Sequence, residues 1–171
     1  MVVSVFNDKK LDIDMKPTII FVSSKSWVSK AIQFITGGNV THAIIGGFTI
    51  ESADIVMHSA TSGVAFLPRE KALVGCDIVG EFAISHDVNI KQLLNDLGQP
   101  YDYLEMLGYV WVYLGKLIKQ RWHNPLGSSQ SFVCVELIMS MNLPELNQLD
   151  KHATSPQDLY NACSLCYDRI K

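Results

Sequence analysis

The chain has no run of lysine and arginine and no basic stripe. Its 14 Lys+Arg stand against 17 Asp+Glu, for a net charge of -3, so nothing in it favours nucleic acid as a partner. It also lacks a long uninterrupted apolar run. The most apolar stretch, Tyr103 to Gln120, is broken by Glu105 and Lys116 and falls short of the roughly 20 apolar residues that a membrane span requires. A buried helix is the default reading there, with interfacial lipid contact as the alternative. The first 16 residues carry Asp8, Lys9, Lys10, Asp12 and Asp14 where a secretory signal would need an apolar stretch. The expectation is a chain without a signal peptide, cytoplasmic at synthesis. Metal ligands are sparse too. Cys163 and Cys166 form a lone CxxC, and no second CxxC or HxxxH exists to complete a zinc site. No metal and no cofactor are expected, and the pair reads as two helix cysteines, at least one of them buried.

What is present fits one compact domain. Across 171 residues, hydrophobic residues make up 48% and charged residues 18%, enough apolar side chain for a real core. The expected unit is a single domain over residues 1–171, with 1–16 as an N-terminal extension. Thr18 to Val22 reads as a buried strand. Trp27 to Ile35 has helical spacing and is closed by Gly37-Gly38-Asn39. Val40 to Phe48, Asp54 to Ala60, Val64 to Leu67 and Cys76 to Ile84 read as strands. The second half is helical, with an amphipathic segment from Val88 to Leu97, the Cys134 helix to about Met141, and a last helix opened by Ser155-Pro156. The class is therefore α+β.

Cys134 is the residue that points to chemistry. It stands where the polar Gly127-Ser128-Ser129-Gln130 loop turns into the apolar Val133-Cys134-Val135-Glu136-Leu137. A cysteine in the first turn of a helix meets unpaired N–H groups and the positive end of the macrodipole, both of which favour thiolate. His42, in Thr41-His42-Ala43-Ile44-Ile45, is the candidate base on a strand. A base needs an orienting group. His58, in Met57-His58-Ser59, is favoured because rigid strand positions hold geometry better than loops. Glu51, in the connection between the two strands, is the alternative third residue. Oxyanion donors would be the Cys134 N–H and Tyr101, with Gln130 a weaker candidate. Each residue also has a plainer reading, since strand histidines and helix cysteines among apolar neighbours usually belong to the core.

Taken together, these segments resemble the permuted branch of the NlpC-like, papain-fold cysteine peptidases and amidases. Trp27 to Ala43 looks like that family's opening helix, Thr-Gly-Gly turn and (Ser/Thr)-His strand. Ile55 to Ala60 with Gly63-Val64 looks like its third-residue segment, with His58 where permuted members often carry glutamate. Gly98 to Asp102 looks like its Gly-x-Pro-Tyr-Asp element, Phe132 to Leu137 like its nucleophile motif, and Ser155 to Leu159 like the start of its last helix. The order His42, His58, Tyr101, Cys134 is a cyclic shift of the ordinary one. Val135 departs from the serine common after the nucleophile.

The resemblance implies a circularly permuted papain-like fold, a small antiparallel sheet packed against helices including the nucleophile helix. It implies a thiol-protease-like hydrolase that cleaves an amide bond through a Cys-His-His site and a thioester. The substrate class it suggests is peptide or peptidoglycan. The alternatives are a lipid-directed thioesterase, phospholipase or acyltransferase acting on an acyl-lipid, and a non-catalytic papain-fold binding module. The source would be bacterial or phage. The absent leader weighs against a cell-wall hydrolase secreted by a bacterial cell, but not against a phage-encoded, even virion-associated, protein delivered by a particle or holin.

Overall fold

The computed structural model describes residues 13–60, 63–85, 88, 90–100, 134–151 and 153–171, with the single positions 108, 111, 115, 118, 120 and 122. Tyr101, Gln130 and most of the segments 103–120 and 121–130 lie outside the described residues. The strands β1 (Ile13–Ser24), β2 (His42–Ile50), β3 (Ala53–Ala60), β4 (Gly63–Pro68) and β5 (Cys76–Ala83) form one sheet in the order β4-β3-β2-β1-β5. Every pairing in it is antiparallel. The described helices are α1 (Trp27–Thr36), α2 (Arg69–Ala72), α3 (Ile90–Asn95), α4 (Cys134–Met139) and α5 (Pro156–Cys166), with a 3-10 turn at Pro144–Leu146. The class is α+β, as the sequence indicates. Among the described residues, no helix is long and apolar enough to cross a membrane.

Central β1 explains why its sequence is apolar without alternation. Ile19, Ile20, Phe21 and Val22 are all fully buried, because both faces of the sheet are covered. Ile19, Phe21, Ala43, Ile45 and Met57 join the main core with Leu137 and Ile138 of α4 and Leu159 of α5. Ile20, Val22, Ile44 and Val56 form a second cluster under Ala72 and Leu73. Phe21 meets Phe82 and Tyr160 edge-on, with ring centroids at 5.8 and 5.3 Å, the geometry that aromatic quadrupoles prefer.

The expected extension is shorter than residues 1–16. Ile13 pairs with Ile50, Asp14 with Thr49 and Met15 with Phe48, so the sheet begins inside it. The charges at Asp14 and Lys16 hide this part of the strand in the sequence. The register then shifts between Met15 and Thr18, where Pro17 has no N–H to offer a ladder. Gly47 faces this bulge with φ +81°, and a Cβ there would fall on the Lys16 carbonyl.

The helix ends follow their caps. Ser26 accepts from the Ser29 N–H, and Gly37 closes α1 in the left-handed conformation. Ser155 opens α5 in a capping box with Asp158. Ser155→Ala removes that reciprocal pair and should lower unfolding free energy by about 1 kcal/mol in urea titration. The last turn of α5 carries the CxxC, with Cys163 buried and Cys166 exposed, in agreement with two helix cysteines. α2 and the 3-10 turn have no counterpart in the sequence reading. Four and three residues are too few to show a period.

Candidate active site

Helix α4 packs on β2 and β3, and its apolar residues explain why. Val135, Leu137 and Ile138 are at most 1% exposed and enter the main core. This docking buries Cys134 at the start of β2. Three backbone amides face its sulfur: those of Ala43, Val135 and Cys134 itself. The Ala43 amide is available because the β2–β3 ladder ends at Ile45↔Met57. The sulfur therefore meets β2 at the peptide that joins His42 to Ala43.

Register fixes the histidines. His42 lies opposite Val22, one step beyond Ile44 opposite Ile20, so it stands on the face of the second apolar cluster. His58 follows Val56 by two residues and shares that face. The two rings meet edge-on at 78°, centroids 6.1 Å apart. A ring nitrogen lies about 1.2 Å from its centroid, so the two rings cannot bring nitrogens closer than about 3.7 Å, beyond hydrogen-bond range. Both Nε2 atoms are sealed from solvent and have no hydrogen-bond partner among the described residues. The structure thus sets the two imidazoles side by side on the face of the second cluster without joining them. Cys134, in contrast, belongs to the main core on the other face and meets β2 at the Ala43 amide, not at the His42 ring.

Burial decides the charge states. It pushes the Cys134 thiol up to about 11, although the amides of Ala43, Val135 and Cys134 oppose it; buried Glu136 adds to the rise. Burial, assisted by His58, holds His42 down to about 4. Burial also lowers His58. At neutral pH the resting pair is a thiol and a neutral imidazole. The helix-start argument for a standing thiolate is corrected here: the donors exist, but desolvation outweighs them.

Glu51 does not reach the site. It occupies the exposed tip of the β2–β3 hairpin with φ 50°, beside Ser52 at φ 69°, the conformation of a tight two-residue turn. Eight residue steps along β2 lead from Ile50 to His42, about 26 Å at strand rise. The connection between two paired strands is remote from the opposite strand end, and this removes Glu51 as the alternative third residue. Tyr101 and Gln130 lie outside the described residues. No cluster of three His, Cys, Asp or Glu suited to a metal ion occurs among the described residues.

Sequence reasoning did not single out Gln157. Its Oε1 accepts from the N–H groups of Asn39 (2.9 Å) and Val40 (3.1 Å), just ahead of His42. A contact spanning 118 positions has no local sequence signal. No protein-family model matches the chain, and no curated protein matches it.

Proposed function

We propose that the chain is a cysteine hydrolase acting on amide bonds through Cys134 and His42, on a circularly permuted papain-like form of this α+β fold. The observation that carries the reading is the seat of the Cys134 sulfur against the amide of Ala43, the residue following His42. Two supports accompany it. The helix bearing the nucleophile packs on the strand bearing the base, and His58 lies beside His42.

The neutral resting pair shapes the chemistry. For this chemistry the His42 ring must turn from the second-cluster face round the start of β2 to the sulfur. It then takes the thiol proton as sulfur attacks the carbonyl carbon, so charge separates only in the course of the attack. The three amides around the sulfur stabilise the developing thiolate. The Cys134 N–H also receives the oxyanion. Imidazolium His42 then protonates the leaving amine, and water cleaves the thioester with His42 again as base. His58 keeps the His42 ring in place by edge contact.

The test is incubation with cell-wall muropeptides and, in parallel, with phosphatidylcholine vesicles, followed by mass spectrometry of the Cys134 peptide. The expected result is muropeptide cleavage and an acyl adduct on Cys134, both lost in Cys134→Ala and in His42→Ala. Turnover of the vesicles alone would move the substrate class to acyl-lipid. Full hydrolysis by Cys134→Ala overturns the reading.

A further inference from the structure

We propose that Gln157 is a positioning residue that sets where His42 stands relative to Cys134, an inference that rests on the hydrolase reading above. From the left-handed Gly37, the chain runs through Gly38, Asn39, Val40 and Thr41 into β2. Gln157, in the first turn of α5, reaches this connection from the far end of the sequence. One carboxamide oxygen accepts from two successive amides, Asn39 at 2.9 Å and Val40 at 3.1 Å. Its Nε2 donates to Asn161 Oδ1 at 3.0 Å, which fixes the orientation of the amide.

The backbone is shaped to admit this side chain. A Cβ on Gly38 would fall on Gln157. On the other side, Gln33 Nε2 donates to the Asn39 carbonyl at 3.3 Å and to Ser23 Oγ at 2.9 Å. Asn39 is thus held from both sides by two glutamines. Thr41 continues the clamp: its N–H and Oγ1 both donate to the Val22 carbonyl, at 2.9 and 3.3 Å. The next residue is His42, and the one after it offers its amide to the sulfur.

The clamp joins three elements that must agree for the site to form. α5 carries Gln157, packs against α4 and thereby couples the cysteine helix to the histidine strand. Asn39 is exposed, so water can replace part of what Gln157 supplies. The consequence of losing it is displacement of the connection more than loss of the fold.

The experiment uses Gln157→Met, which keeps length and removes the acceptor, and Gln157→Glu, which keeps it. Hydrogen exchange at Asn39 and Val40, the NMR titration of the His42 ring and thermal unfolding are compared with wild type. Gln157→Met should speed exchange at both amides about tenfold or more, as loss of a hydrogen bond implies. It should also move the His42 midpoint upward, towards that of a solvated ring, with native folding retained. Gln157→Glu should restore the exchange protection. On any substrate the wild type hydrolyses, Gln157→Met should lower kcat with KM unchanged. Should Gln157→Met not fold, Gly38→Ala displaces the same side chain from the same amides and is read in the same way. Wild-type exchange and a wild-type His42 midpoint in Gln157→Met overturn the proposal, as does failure of Gln157→Glu to restore protection. Failure of the hydrolase reading shows separately, as hydrolysis surviving in Cys134→Ala while the exchange and titration effects stand.

Discussion

Acidification from pH 6.5 to 4 should cost the native state up to about 3 kcal/mol through His42 alone, because burial holds this imidazole down to about 4 against an ordinary 6.5. Above pH 6.5 neither the folded nor the unfolded chain protonates it. As pH falls below 6.5 the unfolded chain takes up the proton first, and the folded state loses ground until the pH passes below 4, where both carry it. The contribution is thus complete above pH 6.5 and lost as pH falls. His58 is lowered by burial too and acts in the same direction. Urea titrations at pH 7.5, 6, 5 and 4.5 read the slope. His42→Asn, neutral at every pH, should flatten it in this window. A slope identical in wild type and His42→Asn would show that the ring is solvated in the native state.

The same desolvation explains which part of the site was legible in the sequence. Residue types and local structure were readable. Cys134 at the start of an apolar helix and His42 at the start of a strand both stand where the pattern puts them. Their charge states were not, because these depend on what packs around them. Val135, Leu137 and Ile138 draw α4 into the core, and that docking buries the sulfur whose ionisation a solvated helix start would favour. Glu51 illustrates the limit of a sequence argument about proximity. It lies between the two histidine strands in sequence, yet a hairpin turn is the point farthest from the open strand ends.

The fold shows the same division. β1 was recognisable from Thr18 onwards because four consecutive apolar residues are buried on two faces. Its first turn of pairing, Ile13 to Met15, was hidden by alternating charge and by Pro17. Caps were legible because Ser26, Gly37 and Ser155 act on neighbours two to four residues away. Gln157 and the pairing of Arg69 with Glu81 were not, because each partner is chosen by the fold.

Arg69→Met should lower unfolding free energy by about 3 kcal/mol at pH 7, since removing one member of a buried ion pair leaves the other uncompensated. Glu81 projects from β5 onto the face of the sheet shared with Ile20, its side chain 7% exposed. Arg69 Nη1 and Nη2 donate to its two carboxylate oxygens at 2.9 and 2.5 Å, and Thr18 Oγ1 donates at 2.9 Å. Burial pushes the Glu81 carboxyl up, but Arg69, Thr18 and Lys171 together outweigh it and hold the group below its ordinary 4.5. Its contribution is therefore present above pH 4.5 and lost as pH falls. Without Arg69 the balance reverses: burial is opposed only by Thr18 and Lys171, the carboxyl rises, and the variant should recover part of its deficit in acid. The 20% exposure of Arg69 places the loss at the lower end for a buried pair. Arg69→Met combined with Glu81→Leu removes both charges and should regain most of the stability lost by Arg69→Met, because an apolar pair needs no compensation there. Urea unfolding of the two single variants and the double variant measures the coupling. Additive losses would mean that solvent, and not Arg69, already satisfies Glu81.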